Sequence, residues 1–187
     1  VDLDGNGVID PNDMSRDFGY TDDPEYIAGL NLGFQWKDLS VNMQFTGAWN
    51  VSRYLSDVFM RPFQGRTTTD QGGLLKYHLD HTWTVDNPSQ DAEYPRVTQT
   101  NGAQNYATST LYEKDAKYLR LKTLEVSYDF HFSFMKRIGL NQLQLALSGY
   151  NIFTLTPYIW GDPETRASAS PSYPLQRTYT VSLKIGF

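Results

Sequence analysis

The sequence predicts an all-β protein, an antiparallel sheet of long strands of the kind that walls a transmembrane β-barrel. Three observations predict it. Apolar residues recur at every second position over five windows; each window runs to about 11 residues, where soluble strands average five or six; and a polar mean hydropathy is paired with 13 Tyr, 10 Phe and 4 Trp. No stretch approaches the roughly 18 uninterrupted apolar residues that a membrane helix needs. A strand crossing needs only alternate ones.

Sorting residues by parity exposes the elements. From Tyr26 to Trp36 one face carries Tyr26, Ala28, Leu30, Leu32, Phe34 and Trp36; the other carries Ile27, Gly29, Asn31, Gly33 and Gln35, with Ile27 the exception. A tight turn at Lys37-Asp38 leads into a second window, 39 to about 50, in which Leu39, Val41, Met43, Phe45 and Trp49 oppose Ser40, Asn42, Gln44, Thr46 and Asn50. The third, 118 to 130, sets Leu124, Val126, Tyr128 and Phe130 against Thr123, Glu125, Ser127 and Asp129, with a less regular upper end. The fourth, 142 to about 154, sets Leu143, Leu145 and Leu147 against Gln142, Gln144 and Ser148. The last, 177 to 187, sets Tyr179, Val181, Leu183, Ile185 and Phe187 against Thr178, Thr180, Ser182, Lys184 and Gly186. The apolar rows end in aromatics, as the interfacial girdles of a membrane barrel require.

Connection lengths give direction, since outer-membrane barrels keep short turns in the periplasm and long loops outside. Lys37-Asp38 and the 132–141 connection are then periplasmic, and 51–117 and 155–176 extracellular, with Phe187 in the periplasm. Five strands cannot close a bacterial barrel, because each open edge would leave backbone groups unpaired in lipid. The chain thus reads as a fragment or processed chain, divided into an extracellular loop over 1–24 and barrel strands with their loops over 25–187.

The first of these regions carries the strongest local motif. In Asp2-Leu3-Asp4-Gly5-Asn6-Gly7-Val8-Ile9-Asp10-Pro11-Asn12-Asp13 the oxygen donors alternate as in an EF-hand calcium loop, with Gly7 at the sharp turn. Asp2, Asp4 and Asn6 offer side-chain oxygens, Val8 its carbonyl, Asp10 the ninth position and Asp13 the twelfth. Asp13 replaces the usual bidentate Glu, so the expected calcium ion is a structural brace. The bland alternative is an acidic Asx-turn loop.

Other chemistry is scarce. With 0 Cys the chain has no disulfide, zinc-thiolate site or thiol nucleophile. A net charge of -5 and no Lys/Arg cluster argue against nucleic acid. His78 and His81 lack a third ligand at metal spacing, and no nucleophile elbow, phosphate loop or carboxylate pair appears, so no enzyme is expected. The long loop is rich in aromatics, and Tyr54, Tyr77, Trp83, Tyr94 and Tyr106 are candidates for substrate contact or for packing within the loop.

Taken in order, several segments resemble the C-terminal part of SusC-like TonB-dependent transporters, the SusC/RagA family. They are the Asp2-to-Asp13 loop, Trp83-Thr84-Val85-Asp86-Asn87-Pro88 with Tyr94-Pro95-Arg96, and Tyr118-Leu119-Arg120-Leu121-Lys122. Gly149-Tyr150-Asn151-Ile152-Phe153-Thr154, Asp162-Pro163-Glu164, Tyr173-Pro174 and Arg177 to Phe187 complete the set. The resemblance implies a plugged barrel of about 22 strands, of which this chain holds roughly the last quarter. It implies active import across the outer membrane of a Gram-negative bacterium, with oligosaccharide or peptide as substrate. It also implies a SusD-like lipoprotein over the extracellular mouth, and TonB acting through parts outside this chain. The closing row Tyr179, Val181, Leu183, Ile185 and Phe187 resembles a barrel-assembly signal. Two alternatives stay open at this point: a siderophore or other metal-complex receptor, and a secreted calcium-dependent carbohydrate-binding β-sandwich.

Overall fold

Period-two alternation yields strands where it was expected. In a computed structural model, which describes residues 2–8, 10–15, 18–55, 57–61, 73–97, 105–166 and 174–187, the elements run in order β1 (Tyr26–Trp36), β2 (Leu39–Trp49), β3 (Ser52–Tyr54), α1 (Asp57–Met60), α2 (Lys76–His81), β4 (Glu113–Asp115), β5 (Tyr118–Asp129), β6 (Gln142–Leu155) and β7 (Thr178–Gly186). Ile9 and Tyr173, which belong to the sequence motifs, lie outside the described residues. The long strands form one five-stranded antiparallel sheet of order β1-β2-β5-β6-β7, and β3 and β4 pair separately. Among its described residues the 51–117 connection, read from sequence as loop alone, holds the short strands β3 and β4, the short helices α1 and α2, and a 3-10 turn at Thr110–Tyr112.

Register aligns the apolar parities of all five strands. Phe34 opposes Val41, Val41 opposes Val126, Val126 opposes Leu147, and Leu147 opposes Val181. A row nearer the other end joins Leu32, Met43, Leu124, Gly149 and Tyr179. One face is therefore apolar throughout. The opposite face joins Gly33, Asn42, Glu125, Ser148 and Thr180, with Asn31, Gln44 and Thr123 in the next row. The irregular upper end of the third window has a physical cause: Gln44 and Phe45 are consecutive, but their partners Thr123 and Leu121 are not. Lys122 is the extra residue of a β-bulge, and on β6 the pairing steps from Tyr150 to Phe153 across Asn151 and Ile152. Asn151 takes up the bend at φ 53, a left-handed conformation that Asn tolerates better than most residues. Beyond the bulges Leu119 and Leu121 return to the apolar face and Arg120 to the polar one.

Neither face of this sheet is a core. Leu30 is 54% exposed, Phe34 58% and Val181 71%, and a continuous apolar face of this extent marks a surface that meets lipid or protein rather than water. A β-sandwich would pack such rows against one another, whereas among the described residues nothing packs on them, so nothing favours that alternative. The hydrophobic core lies instead in the connections: Val51, Leu55, Met60, Tyr94, Tyr112, Ala116, Tyr158 and Trp160 form one buried cluster. Turns 37–38 and 131–141 sit together at the other end, where Asp129 N donates to Asp38 O at 2.9 Å and Asn141 N to Gly186 O at 2.8 Å. The outer edges of β1 and β7 remain open for further strands.

Candidate functional site

The polar face and the loop layer above it make one continuous surface. Midway along the sheet, Asn31, Asn42, Gln44, Thr123 and Glu125 line a shallow depression. Amides, a hydroxyl and a carboxylate at alternate positions give this wall donors and acceptors, as a hydrated lumen requires. Lower down, Gln144 Nε2 donates to Asp129 Oδ1 at 3.1 Å.

At the extracellular end two buried arginines tie the loops to the wall. Arg120, 2% exposed on the polar face of β5, places Nη2 2.7 Å from Asp162 Oδ2 and Nε 2.8 Å from Thr154 Oγ1. Its Nη1 lies 3.0 Å from Glu164 Oε2 as an ion pair outside hydrogen-bond alignment. The Arg120 guanidinium also stands 5.6 Å from the Tyr118 ring centroid. Arg53, on β3, donates through Nε to Thr165 O at 3.0 Å and through Nη2 to Pro163 O at 3.0 Å. Its Nη1 pairs with Asp22 Oδ1 at 2.8 Å and donates to the Asp22 carbonyl. The Asp162-Pro163-Glu164 motif is thus gripped from both sides, by carboxylates on Arg120 and by a carbonyl on Arg53. Buried guanidiniums persist only when their donors are matched in this way.

Trp160 stands at the centre of the cap. Its ring meets Tyr77 edge-on at 4.6 Å, Phe59 at 5.9 Å and Tyr94 at 6.1 Å. Tyr94 OH donates to Phe59 O at 2.9 Å, and His78 Nε2 lies 2.8 Å from the same carbonyl. A carbonyl only accepts, so His78 carries its proton on Nε2, and its buried Nδ1 has no partner among the described residues. His81 turns elsewhere, with Nδ1 2.9 Å from Tyr77 O and its ring stacked on Tyr77 at 3.8 Å. The two histidines do not converge. Tyr77 donates to Glu93 Oε1 at 2.7 Å, and burial, with that carboxylate second, pushes its hydroxyl up to about 12.

The structure places the five aromatic candidates of the loop as packing groups in the main. Tyr94 is buried; Tyr54, Tyr77 and Tyr106 lie against the core cluster; Trp83 is half-buried, its backbone amide donating to Tyr94 O at 2.9 Å. The Tyr94 ring is enclosed by this packing, while Tyr54, Tyr77, Trp83 and Tyr106 each keep part of their surface exposed. Arg53, Arg120 and Trp160 did not emerge from the sequence as functional residues, and parity alone puts Arg120 in the apolar row of β5, since only the bulge at Lys122 returns it to the polar face.

In the N-terminal loop, one carboxylate oxygen from each of Asp2, Asp4 and Asp13 comes within 4.8 Å of the others. Gly7 N donates to Asp2 Oδ2 at 2.8 Å and Gly5 N to Asp2 Oδ1 at 2.7 Å, with Gly5 and Gly7 at φ 76 and 82. Asp13 accepts from Asp10 N at 2.8 Å and Leu3 N at 2.6 Å, and these hydrogen bonds hold its carboxyl below the usual range. Asn6 Oδ1 is turned to Val8 N at 2.7 Å, and Asp10 Oδ1 accepts from Asn12 N at 2.7 Å, capping the short turn Pro11–Asp13. Three convergent carboxylates are a donor set that fits a hard divalent cation. Asn6, Val8 and Asp10 stand in the loop with their side chains or amides engaged locally.

No family model matches the chain. It is 27% identical, over 100% of its length, to "TonB-dependent receptor P3" of Formosa agariphila, and 23% identical over 88% to "TonB-dependent receptor P26" of the same organism. The chain spans only 18% and 17% of the length of these relatives. Among solved structures it superposes on the RagAB peptide transporter with TM-score 0.62 and 26% identity, covering 85% of this chain and 17% of that one. The "open-open" state of the RagAB peptide importer matches with TM-score 0.66 and 25% identity, over 90% of this chain and 18% of that one. The resemblance to SusC-like TonB-dependent transporters holds, and the sheet has the fold of a segment of the barrels of such transporters.

Proposed function

We propose that this chain, similar along its length to TonB-dependent receptors, supplies part of the wall and extracellular cap of a transporter that imports a nutrient by TonB-dependent active transport across the outer membrane. One observation carries the reading: five long strands share a single exposed apolar face and a single polar face. Lipid matches the first, and a water-filled or plugged lumen the second. Nothing in the site favours a siderophore, which would call for a compact, iron-chelate pocket.

The cargo is an oligosaccharide or a peptide, and the described cargo of RagAB makes a peptide the first to try. A SusD-like lipoprotein would cover the mouth above the cap, and TonB would act on parts of the transporter outside this chain. Of the loop aromatics, half-buried Trp83 is the substrate-contact candidate that packing leaves most available. Calcium would sit among Asp2, Asp4 and Asp13, with Asn6, Val8 and Asp10 completing the shell, and would brace the loop by offsetting carboxylate repulsion. The row from Tyr179 to Phe187 would guide assembly.

Uptake of labelled oligopeptides and oligosaccharides by cells with and without the gene tests the reading. Uptake of one class should fall on deletion and should also fall when TonB is removed, and the purified transporter should bring down a surface lipoprotein. Unchanged uptake of both classes in the deletion strain would sink it, and iron-chelate uptake without a lipoprotein partner would replace it with the siderophore reading.

A further inference from the structure

At the periplasmic end the apolar face does not stop with the strand. Tyr128, on the apolar face of β5, begins a ladder of rings spaced two residues apart: Tyr128 to Phe130 at 4.9 Å, Phe130 to Phe132 at 5.5 Å, and Phe132 to Phe134 at 5.6 Å, the last two pairs stacked within 18° and 16°. The last two rings stand beyond the sheet, yet Phe132 is 47% and Phe134 54% exposed, with Ile138 beside them at 59%. Stacked rings that remain open to the outside are an anchor awaiting an amphipathic neighbour, since an aromatic ring sits best at the boundary between acyl chains and headgroups. The turn has its own rigid base. Met135 is buried, its carbonyl accepts from Leu140 N at 2.9 Å, and Gly139 closes the turn at φ 77. From this base Lys136 and Arg137 are exposed, and among the described residues neither forms an ion pair. The neighbouring hairpin repeats the pattern, with Lys37 Nζ 5.0 Å from the Trp36 ring centroid.

We propose that the ring ladder and Lys136–Arg137 form a docking foot for anionic glycerophospholipid in the periplasmic leaflet, the rings against the glycerol and upper acyl region and the two cations on the phosphate. This rests on the reading of the sheet as a membrane wall. The charge is what selects the occupant: unpaired cations immediately outside an apolar face match a negatively charged headgroup, and a zwitterionic lipid offers them no net attraction.

The test uses the whole transporter, delipidated in neutral detergent and titrated with mixed micelles of phosphatidylglycerol or phosphatidylcholine, with retained lipid counted by native mass spectrometry. The natural protein should retain phosphatidylglycerol over phosphatidylcholine on the order of tenfold. K136Q/R137Q should bring that ratio near one while its thermal midpoint in phosphatidylcholine stays unchanged, and K136R/R137K should keep the preference. A preference undiminished in K136Q/R137Q, or absent from the natural protein, overturns the foot. Displacement of phosphatidylglycerol by inorganic phosphate alone also overturns it, by reducing the site to a plain anion contact. Because detergent dependence and heat-resistant barrel mobility are measured on the same samples, their loss would instead strike the membrane reading.

Discussion

The strand wall leaves Leu30, Phe34 and Val181 open on one face and Asn42 and Glu125 on the other, whereas the loop cap closes Val51, Leu55 and Tyr112 almost completely. Both regions belong to one chain and draw on the same aromatic-rich composition. The difference teaches where water is expected to be absent. A cap standing in water must bury its own apolar side chains, and does so around Trp160; a wall standing in lipid gains nothing by hiding them, because acyl chains already replace water. Polar groups invert with them: Arg53 in the cap and Arg120 where the wall meets it are buried on fixed partners, while Asn42 and Glu125 midway along the wall stay exposed.

Breaking the cap should have the largest effect. Arg120→Met removes the cation between Asp162 and Glu164 and leaves two partly buried carboxylates facing each other, at a cost of about 3–5 kcal/mol for a buried pair. Hydrogen exchange should rise across 156–166 and leave the sheet protected. Uniform loosening of cap and wall would mean that the two regions are not separate in the way their burial implies.

The wall is broken by charge instead. Leu32→Arg, midway along β1 on the apolar face, should cost about 2–4 kcal/mol of assembly, whereas Gln44→Arg on the polar face should be tolerated. Folded-barrel yield in outer-membrane fractions reads both. Equal damage from the two substitutions would dissolve the distinction between lipid and lumen faces.

A smaller change sharpens the cap. Tyr94→Phe keeps the ring against Trp160 and His78 but removes the hydroxyl that donates to Phe59 O, so about 1 kcal/mol of cap stability should be lost. Protease susceptibility of the 51–117 connection is the readout, and an effect as large as that of Arg120→Met would show the hydroxyl, not the packing, to be the main support.

The same contrast explains what the sequence made legible. The wall was readable because each strand states its two faces within about 11 residues, a local pattern needing no knowledge of the rest of the chain. Apart from Ile27, the pattern blurred at Lys122 and Asn151, since a bulge shifts parity by one residue. The cap was not readable, because its contacts are far apart in sequence: Arg53 meets Pro163 across 110 positions. Asp162-Pro163-Glu164 stood out as a motif, yet nothing local named Arg120 and Arg53 as its partners. The loop aromatics were ambiguous for a related reason, as a Tyr that packs and a Tyr that binds have the same side chain, and only burial separates Tyr94 from Trp83.

The N-terminal loop belongs to neither region and should respond most weakly, but to a different variable. Asp13 has its carboxyl held below the usual carboxylate range by hydrogen bonds from the Asp10 and Leu3 amides. A group depressed in this way stabilises the loop fully at pH above its unfolded value and loses that contribution as pH falls through the lower folded value. Loop order should therefore persist at neutral and mildly acidic pH and decline only below the ordinary aspartate range. Calcium, if it binds the Asp2, Asp4 and Asp13 carboxylates, competes with protons for the same oxygens, so added calcium should move this decline to still lower pH. Exchange of the Leu3 and Asp10 amides, followed against pH with calcium and with chelator, separates the two contributions. A calcium-independent curve would leave an acidic turn held by its own backbone, and loss of order already near neutral pH would contradict the depressed Asp13 carboxyl.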